Sequence, residues 1–432
     1  QPQAVRGATA EALVLRAPQA YLERWLPAAG GLLQEPMFAG AAARAEQART
    51  YSPGSLRPET ARALYGAELH FSSSRIDVLA GCRFAHFLQY GLRAQEREPA
   101  EFDSRFYGTF VHDVLEYIVQ QTEREGGFAA VPRSRVQELA QERMEQNAQT
   151  LLETFPDSGR TGYLLRRTFD EVTQVVDELY DELSVSAFRP EFCELEFSAR
   201  GALPGVAFAG ERCRGVVEGF VDRVDVWQSG GRPYVRVVDY KTGKKSFDYT
   251  NVLHGRGLQM LLYLFALVRQ GGHLLHGEPL PAGVLYFPAR IERVSVRDRL
   301  AQAEIEKERC KQLRRSGVLL NSDPVLEAME PCGGSPRFLP YTLDKEGRKT
   351  GDLASFAQLS QLERFVFRTV AALGDELADG RIDPDPCIRD AKDSACAFCP
   401  YSEVCAGHEQ PRWLKKITAE EFWQTLERRE HG

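Results

Sequence analysis

The sequence predicts an α/β fold in which a mixed, partly antiparallel sheet is flanked by helices, with helical insertions and an N-terminal helical segment. Three observations carry this reading. Two β-rich runs, "GVVEGFVDRVDVW" and "YVRVVDYKTG", flank the turn signal "QSGGRP" and read as an antiparallel hairpin. The apolar helix pattern "HGRGLQMLLYLFALVRQGG" follows the hairpin, and another helical pattern, "FDSRFYGTFVHDVLEYIVQQ", precedes it. Strands set between such helices give a sheet with helices packed on its faces.

In chain order, the opening "QPQAVRGATAEALVLRAPQAYLERWLPAAGGLL" looks helical, lacks a clear beginning and starts at Gln1 rather than Met. The expectation is that the chain is the later part of a longer polypeptide, with residues 1–65 closing a preceding region. Residues 66–432 then form the main domain, with a helical insertion from about 130 to 185. At 432 residues the chain can build two or three cores. Its 43% hydrophobic and 27% charged residues exclude disordered and fibrous classes. No apolar run approaches the roughly 18 to 20 residues of a membrane span, and the N-terminus has no signal-peptide pattern, so the expected location is cytoplasmic, with no membrane partner.

The net charge of −7 gives no general basic footprint, so any polyanion site must be local. One candidate is "RVSVRDRLAQAEIEKERCKQLRRSG", which gathers Arg293, Arg297, Arg299, Lys307, Arg309, Lys311, Arg314 and Arg315. The same residues would equally make a solvated helix face laced with Glu–Lys pairs. There is no internal repeat and no GxxxxGK[ST] phosphate loop, so nothing points to ATP hydrolysis by this segment.

The hairpin concentrates chemistry. If its loop runs from Gln228 to Pro233, Trp227 faces Tyr234, Asp225 faces Arg236, and Asp222 lies opposite Asp239. Opposed carboxylates repel unless a cation lies between them, and Mg²⁺ is the simplest one. Asp239 and Lys241, two apart on one strand, share a face, although the pair would also serve as an ordinary strand-end ion pair. On the preceding helix Phe106, Phe110, Val114 and Ile118 form an apolar stripe, while Gly108, His112 and Glu116 run along another face. Gly108 leaves room beside His112 for a close-approaching ligand. On the helix after the hairpin, Gln259 and Tyr263 stand one turn apart and can hydrogen-bond along one face.

Nine cysteines are too few and too scattered for a disulfide scaffold. Cys193, Cys213, Cys310, Cys332 and Cys387 show no ligand spacing. "CAFCPYSEVC" supplies Cys396, Cys399 and Cys405, and Cys82 stands far upstream as a fourth ligand. Four thiolates suit zinc or an iron–sulfur cluster; one lone cysteine with a CxxC and a later cysteine leans away from zinc without excluding it.

Taken together, G-x-x-x-H (Gly108 to His112), G-F-V-D (Gly219 to Asp222), D-Y-K-T (Asp239 to Thr242) and Q-x-x-x-Y (Gln259 to Tyr263) resemble the RecB-type branch of the PD-(D/E)XK nucleases. With the cysteines, the stretch from about Tyr65 to about His408 resembles the C-terminal part of the AddB family, the nuclease-bearing second subunits of AddAB-type helicase-nucleases. One departure is Arg83, where related sequences often carry Pro. The resemblance implies a PD-(D/E)XK core and a DNA exonuclease that processes double-strand breaks beside an AddA-type partner. It implies Mg²⁺ on His112, Asp222, Asp239 and the carbonyl of Tyr240, with Lys241, Gln259 and Tyr263 acting in catalysis. It also implies a [4Fe-4S] cluster on Cys82, Cys396, Cys399 and Cys405. A catalytically inactive DNA-binding scaffold and a stand-alone iron–sulfur exonuclease are the competing readings.

Overall fold

In the computed structural model, which describes residues 54–94, 104–154, 159–243, 246–290, 310–405 and 411–431, the expected hairpin is the spine of the sheet. The helix α1 (Pro58–Tyr65) leads to β1 (Leu69–Ser72), α2 (Ser73–Gly81) and the single turn α3 (Arg83–His86). Three long helices follow: α4 (Ser104–Arg124), α5 (Arg133–Thr154) and α6 (Gly159–Leu183). The last two occupy the span expected for a helical insertion. Next come β2 (Arg189–Phe197), β3 (Val206–Ala209), β4 (Arg214–Ser229), β5 (Arg232–Lys241), the short α7 (Tyr249–Leu253) and α8 (Gln259–Gln270). Strands β6 (Leu280–Pro288) and β7 (Ser316–Leu320), helix α9 (Asp323–Met329), the small hairpin β8 (Tyr341–Leu343) with β9 (Lys349–Gly351), β10 (Leu353–Ala354) and α10 (Phe356–Ala378) complete this part. The chain ends with β11 (Cys387–Ile388), β12 (Arg412–Trp413) and α11 (Ala419–His431).

The main sheet runs β1-β4-β5-β6-β7-β10, with β2 and β3 also paired to β4. β4 is antiparallel to β2, β3 and β5, while β1 with β4, β5 with β6 and β7 with β10 are parallel pairs, so the sheet is mixed as expected. Trp227 faces Tyr234 and Asp225 faces Arg236, as the sequence register has them. The turn is tighter than the expected six-residue loop: pairing continues to Ser229–Arg232, leaving Gly230 and Gly231, both at positive φ (57° and 75°). Two successive left-handed residues make a hairpin turn whose twist matches that of the strands.

The helices follow their apolar spacing. On α4, Phe110, Val114 and Ile118 are buried as one stripe; the side chain of Phe106 lies outside the described residues. On α6, Val172, Val175, Val176, Leu179 and Leu183 are buried at helical intervals. Asp248 caps α7 by accepting from the backbone N–H groups of Thr250 and Asn251 (2.7 and 3.2 Å). Among the described residues no helix is long and apolar enough to cross a membrane.

The packing divides into two compact units. Among the described residues, 54–64, 81–94, 376–405 and 411–414 form one, and 65–80, 104–154, 159–243, 246–290, 310–375 and 415–431 form the other, which holds the sheet. The basic candidate segment is largely outside the described residues, which resume at Cys310. Arg315 corrects both expectations made for it. It neither faces solvent nor waits for a polyanion, being 2% exposed with Nε donating to Glu182 Oε2 (2.8 Å) and its guanidinium over the Phe287 ring (4.2 Å).

Glu182, on α6, also accepts from Arg236 Nη2 (3.0 Å), and Arg236 Nε donates to Asp225 Oδ2 (2.7 Å). Arg223 donates to Asp225 twice (2.8 and 3.1 Å) and to the hydroxyl of Tyr240 (3.0 Å). Burial pushes the Glu182 carboxyl up, but Arg315, Arg236 and Arg223 outweigh it and hold the group down at about 2. A folded-state value below the usual carboxylate range adds stability above about pH 4.3, which is lost as the pH falls toward that value. Replacing Glu182→Gln should therefore cost about 3 kcal/mol or more at pH 7, because three buried guanidiniums lose a counter-charge, and should flatten the acid-side decline. Urea unfolding from neutral pH down to acid checks both.

Candidate active site

Backbone pairing decides where the site opens. β4 changes partners along its 16 residues: Gly215–Glu218 pair with β1, Arg214–Val217 with β3, Gly219–Val226 with β2 and Arg223–Ser229 with β5. Residues Gly219 to Val221 therefore pair with β2 alone among the described residues, and one edge of β4 is open from there to Asp222. The last ladder pair with β5 is Arg223–Val238. One step further, Asp222 Oδ2 accepts from the N–H of Tyr240 (2.7 Å), so a side-chain carboxylate takes the place of a ladder carbonyl at the fork. The same step sets Asp222 across from Asp239. Lys241 Nζ lies 2.5 Å from Asp239 Oδ2.

Helix α4 brings His112 to this fork. Its Nε2 lies 2.8 Å from the carbonyl oxygen of Tyr240. A carbonyl can only accept, so Nε2 carries the proton and Nδ1 presents its lone pair, 3.5 Å from Asp222 Oδ2. Burial holds His112 below the ordinary histidine range, against the pull of the Tyr240 carbonyl and the Asp239 charge, and keeps the ring neutral. Two lone pairs facing each other repel unless a proton or a cation lies between them. A methyl group on Gly108 would meet Thr242 Oγ1 at 3.5 Å, ordinary contact, so α4 approaches the end of β5 here without requiring a glycine.

A third acid joins from a strand whose contribution the sequence reading missed. Glu194 lies on β2 between the pairs Cys193–Arg223 and Leu195–Val221, hence opposite Asp222. It adopts φ +49°, a left-handed conformation that costs a non-glycine residue on the order of 1 kcal/mol. Ligand atoms of His112, Glu194 and Asp222 all lie within 4.8 Å of one another. Burial first, then the charge on Asp239 with Glu194 adding, pushes the Asp222 carboxyl well above the usual range, despite the Tyr240 N–H and Lys241. Burial and the charges on Glu116 and Asp239 likewise raise Glu194. Crowded carboxylate oxygens with one neutral imidazole nitrogen are the donors that a hard divalent cation such as Mg²⁺ or Mn²⁺ takes. The Tyr240 carbonyl already accepts from His112 and keeps one lone pair for such an ion.

The remaining expected residues stand differently. Tyr263 stacks on Phe197 (centroids 4.9 Å) and donates its hydroxyl to the carbonyl of Glu218 (3.3 Å). A Cβ on Gly219 would lie 2.2 Å from that hydroxyl, so the glycine of "GFVD" is what lets the phenol dock against β4. Burial, with the Asp239 charge adding, raises the Tyr263 phenol far above its ordinary range. Its hydroxyl thus holds the strand rather than Lys241. Gln259 opens α8 and is hydrogen-bonded to none of the site residues among the described residues.

In the smaller unit, Cys82 precedes α3, and Cys396, Cys399 and Cys405 follow β11. Burial pushes the Cys82 thiol up to about 11, and the charge of Cys396 adds to this. Cys396 is raised by burial and by the charges of Cys399 and Cys405, so Cys396 lies within electrostatic reach of each of the other three thiols. The Tyr401 hydroxyl donates to the carbonyl of Ala94 (2.6 Å), tying the cysteine loop to the Cys82 segment. Arg83 is buried and makes a second tie, its N–H donating to Asp385 Oδ1 (3.1 Å) and its Nε to Glu376 Oε2 (2.8 Å).

An isosteric change separates crowding from packing. Asp222→Asn keeps an acceptor for the Tyr240 N–H but removes a charge that burial and Asp239 oppose. Above the raised titration of Asp222, the metal-free variant should melt a few degrees higher than the parent, and this gain should vanish as the pH falls and the parent carboxyl becomes protonated. Added Mg²⁺ or Mn²⁺ should stabilise the parent and not the variant. Thermal melts across pH, with and without metal, read both effects.

The sequence profile of the PD-(D/E)XK nuclease superfamily matches residues 70–406. The chain is also similar to proteins named as the B-type subunits of ATP-dependent helicase/deoxyribonucleases. It is 34% identical over 357 residues to that of Moorella thermoacetica, covering 81% of this chain and 31% of the relative. To that of Caldanaerobacter subterraneus it is 31% identical over 366 residues, covering 81% and 30%. To that of Thermoanaerobacter sp. strain X514 it is 29% identical over 379 residues, covering 84% and 33%. The chain thus spans about a third of the length of the curated relatives it matches. A match that runs through the helix of His112, both strands of the fork and the cysteine loop admits one assignment: the chain belongs to the PD-(D/E)XK nuclease superfamily.

Proposed function

We propose that the chain is the nuclease domain of a helicase-nuclease, a Mg²⁺-dependent DNA exonuclease that trims single-stranded ends delivered by an AddA-type helicase partner in double-strand-break processing and recombinational repair. The observation that carries this is the set of His112, Glu194 and Asp222 ligand atoms within 4.8 Å, at a fork that also holds the Asp239–Lys241 pair. The relatives' shared name, a helicase/deoxyribonuclease of which each is the B-type component, supports the helicase partner and the DNA substrate.

His112, Asp222, Asp239 and Glu194, with the Tyr240 carbonyl, would hold the ion. Bound there, Mg²⁺ supplies Lewis acidity toward a phosphoryl oxygen and lowers the pKa of an attacking water. His112 enters as a neutral ligand because its Nε2–H is committed to Tyr240. Asp239 orients the ammonium of Lys241, which donates to the charge that develops on the phosphoryl oxygens. Tyr263, docked against Gly219, holds the Glu218 carbonyl of β4 just before Asp222.

Cys82, Cys396, Cys399 and Cys405 would hold a [4Fe-4S] cluster that joins the segment before the sheet to the segment after it. Four thiols with no carboxylate or imidazole among them are the soft donors that an iron–sulfur cluster takes.

Asp239→Ala should lower Mg²⁺-dependent cleavage of single-stranded DNA by about 10²-fold or more with circular dichroism unchanged. Undiminished cutting by that variant would sink the assignment, and DNA binding without cutting under any divalent metal would favour the inactive scaffold. Anaerobically purified protein should contain iron and acid-labile sulfide that Cys399→Ala loses; zinc in their place would remove the cluster from the proposal.

A further inference from the structure

In a chain of net charge −7, a place where cations gather without acids stands out. One cavity of about 580 Å³ has this character, a size within the usual range of small-ligand sites. Its wall includes Lys241, Arg290, Arg314, Tyr286 and Gln312, and no acidic residue among the described residues lines it. Arg314 is held without being neutralised: Nε donates to the carbonyl of Leu339 (2.9 Å) and Nη2 to those of Tyr341 and Pro336. Arg290 faces no carboxylate among the described residues, its guanidinium lying 5.2 Å from the centre of the Tyr107 ring. The side-chain oxygen of Gln312 is buried without a hydrogen-bond partner among the described residues. Two uncompensated guanidiniums and an orphan acceptor, walled on one side by the lysine of the fork, are complementary to an anion that also carries hydrogen-bond donors.

We propose that this cavity is a subsite for one nucleotide of single-stranded DNA, the one flanking the scissile phosphodiester on the Lys241 side. Arg290 and Arg314 receive its phosphate, and Gln312 Oε1 accepts from an amino group of the base or a hydroxyl of the sugar. The proposal rests on the nuclease reading and deepens it. It explains how an acidic chain can hold a polyanion at a local site, and it makes binding strength a property of a few fixed cations.

The test is anisotropy of a short labelled oligothymidylate in EDTA, over a salt series, with the parent, Arg290→Ala and Arg290→Lys. Arg290 is exposed, so these variants should fold. Arg290→Ala should weaken binding about fivefold and reduce the slope of log affinity against log salt by about 0.7, the value of one single-strand phosphate contact, with Arg290→Lys recovering most of both. In Mg²⁺, Arg290→Ala should raise KM by a similar factor while kcat changes less than twofold. Unchanged affinity and slope in EDTA would overturn the subsite whatever the cleavage assay gives. Binding that Arg290→Ala weakens, in a parent protein that does not cut DNA under any divalent metal, would keep the subsite and reject the nuclease reading instead.

Discussion

Two buried carboxylates, Glu182 and Asp225, hold three buried guanidiniums, Arg223, Arg236 and Arg315, and the rest of the sheet is arranged around that compensation. Removing such charges from water costs several kcal/mol each, and the cost is met only when every partner is in place. The network therefore fixes relative positions: the helix α6 against β4, β5 and the start of β7. Arg223 extends it to the hydroxyl of Tyr240, whose backbone N–H and carbonyl engage Asp222 and His112. Fold and site share one residue, Tyr240, turned inward at its side chain and toward the fork at its backbone.

How much of this was legible in the sequence depends on whether the signal was local. The hairpin register was, because period-two alternation and a glycine-rich turn admit few alignments, and Asp225–Arg236 came with it. The loop was overestimated because Ser229 and Arg232 read as turn chemistry yet remain paired. His112, Asp222, Asp239 and Lys241 were legible as types at strand and helix positions. Glu194 was not: "EFCELEF" looks like a half-exposed strand, and the left-handed backbone at Glu194 leaves no mark on composition. Glu182 and Arg315 were hidden for the opposite reason, since long-range burial decides that a charge on an amphipathic helix and one in a basic run will meet in the interior.

Arg83 shows how a departure from a family pattern can be structural rather than neutral. Its ion pairs with Glu376 and Asp385, together with Arg412 Nε donating to the carbonyl of Asp385 (3.0 Å), fasten the segment after Cys82 to the strand-and-turn segment that carries the other three cysteines. Glu376 and Asp385 are near neighbours in the chain, so a single guanidinium does the fastening that sequence distance would otherwise leave to the thiols alone.

The open edge at Gly219–Asp222 has a consequence beyond chemistry. An unpaired strand edge is a template for pairing with another chain, and Phe220, half exposed on this stretch, would reward such pairing with buried aromatic surface. The carboxylate at Asp222 already occupies the end of this stretch, its Oδ2 taking the Tyr240 N–H that a docking strand's carbonyl would need. The residue that makes the folded state less stable thus also caps the open edge, and the two effects are set against each other at one position.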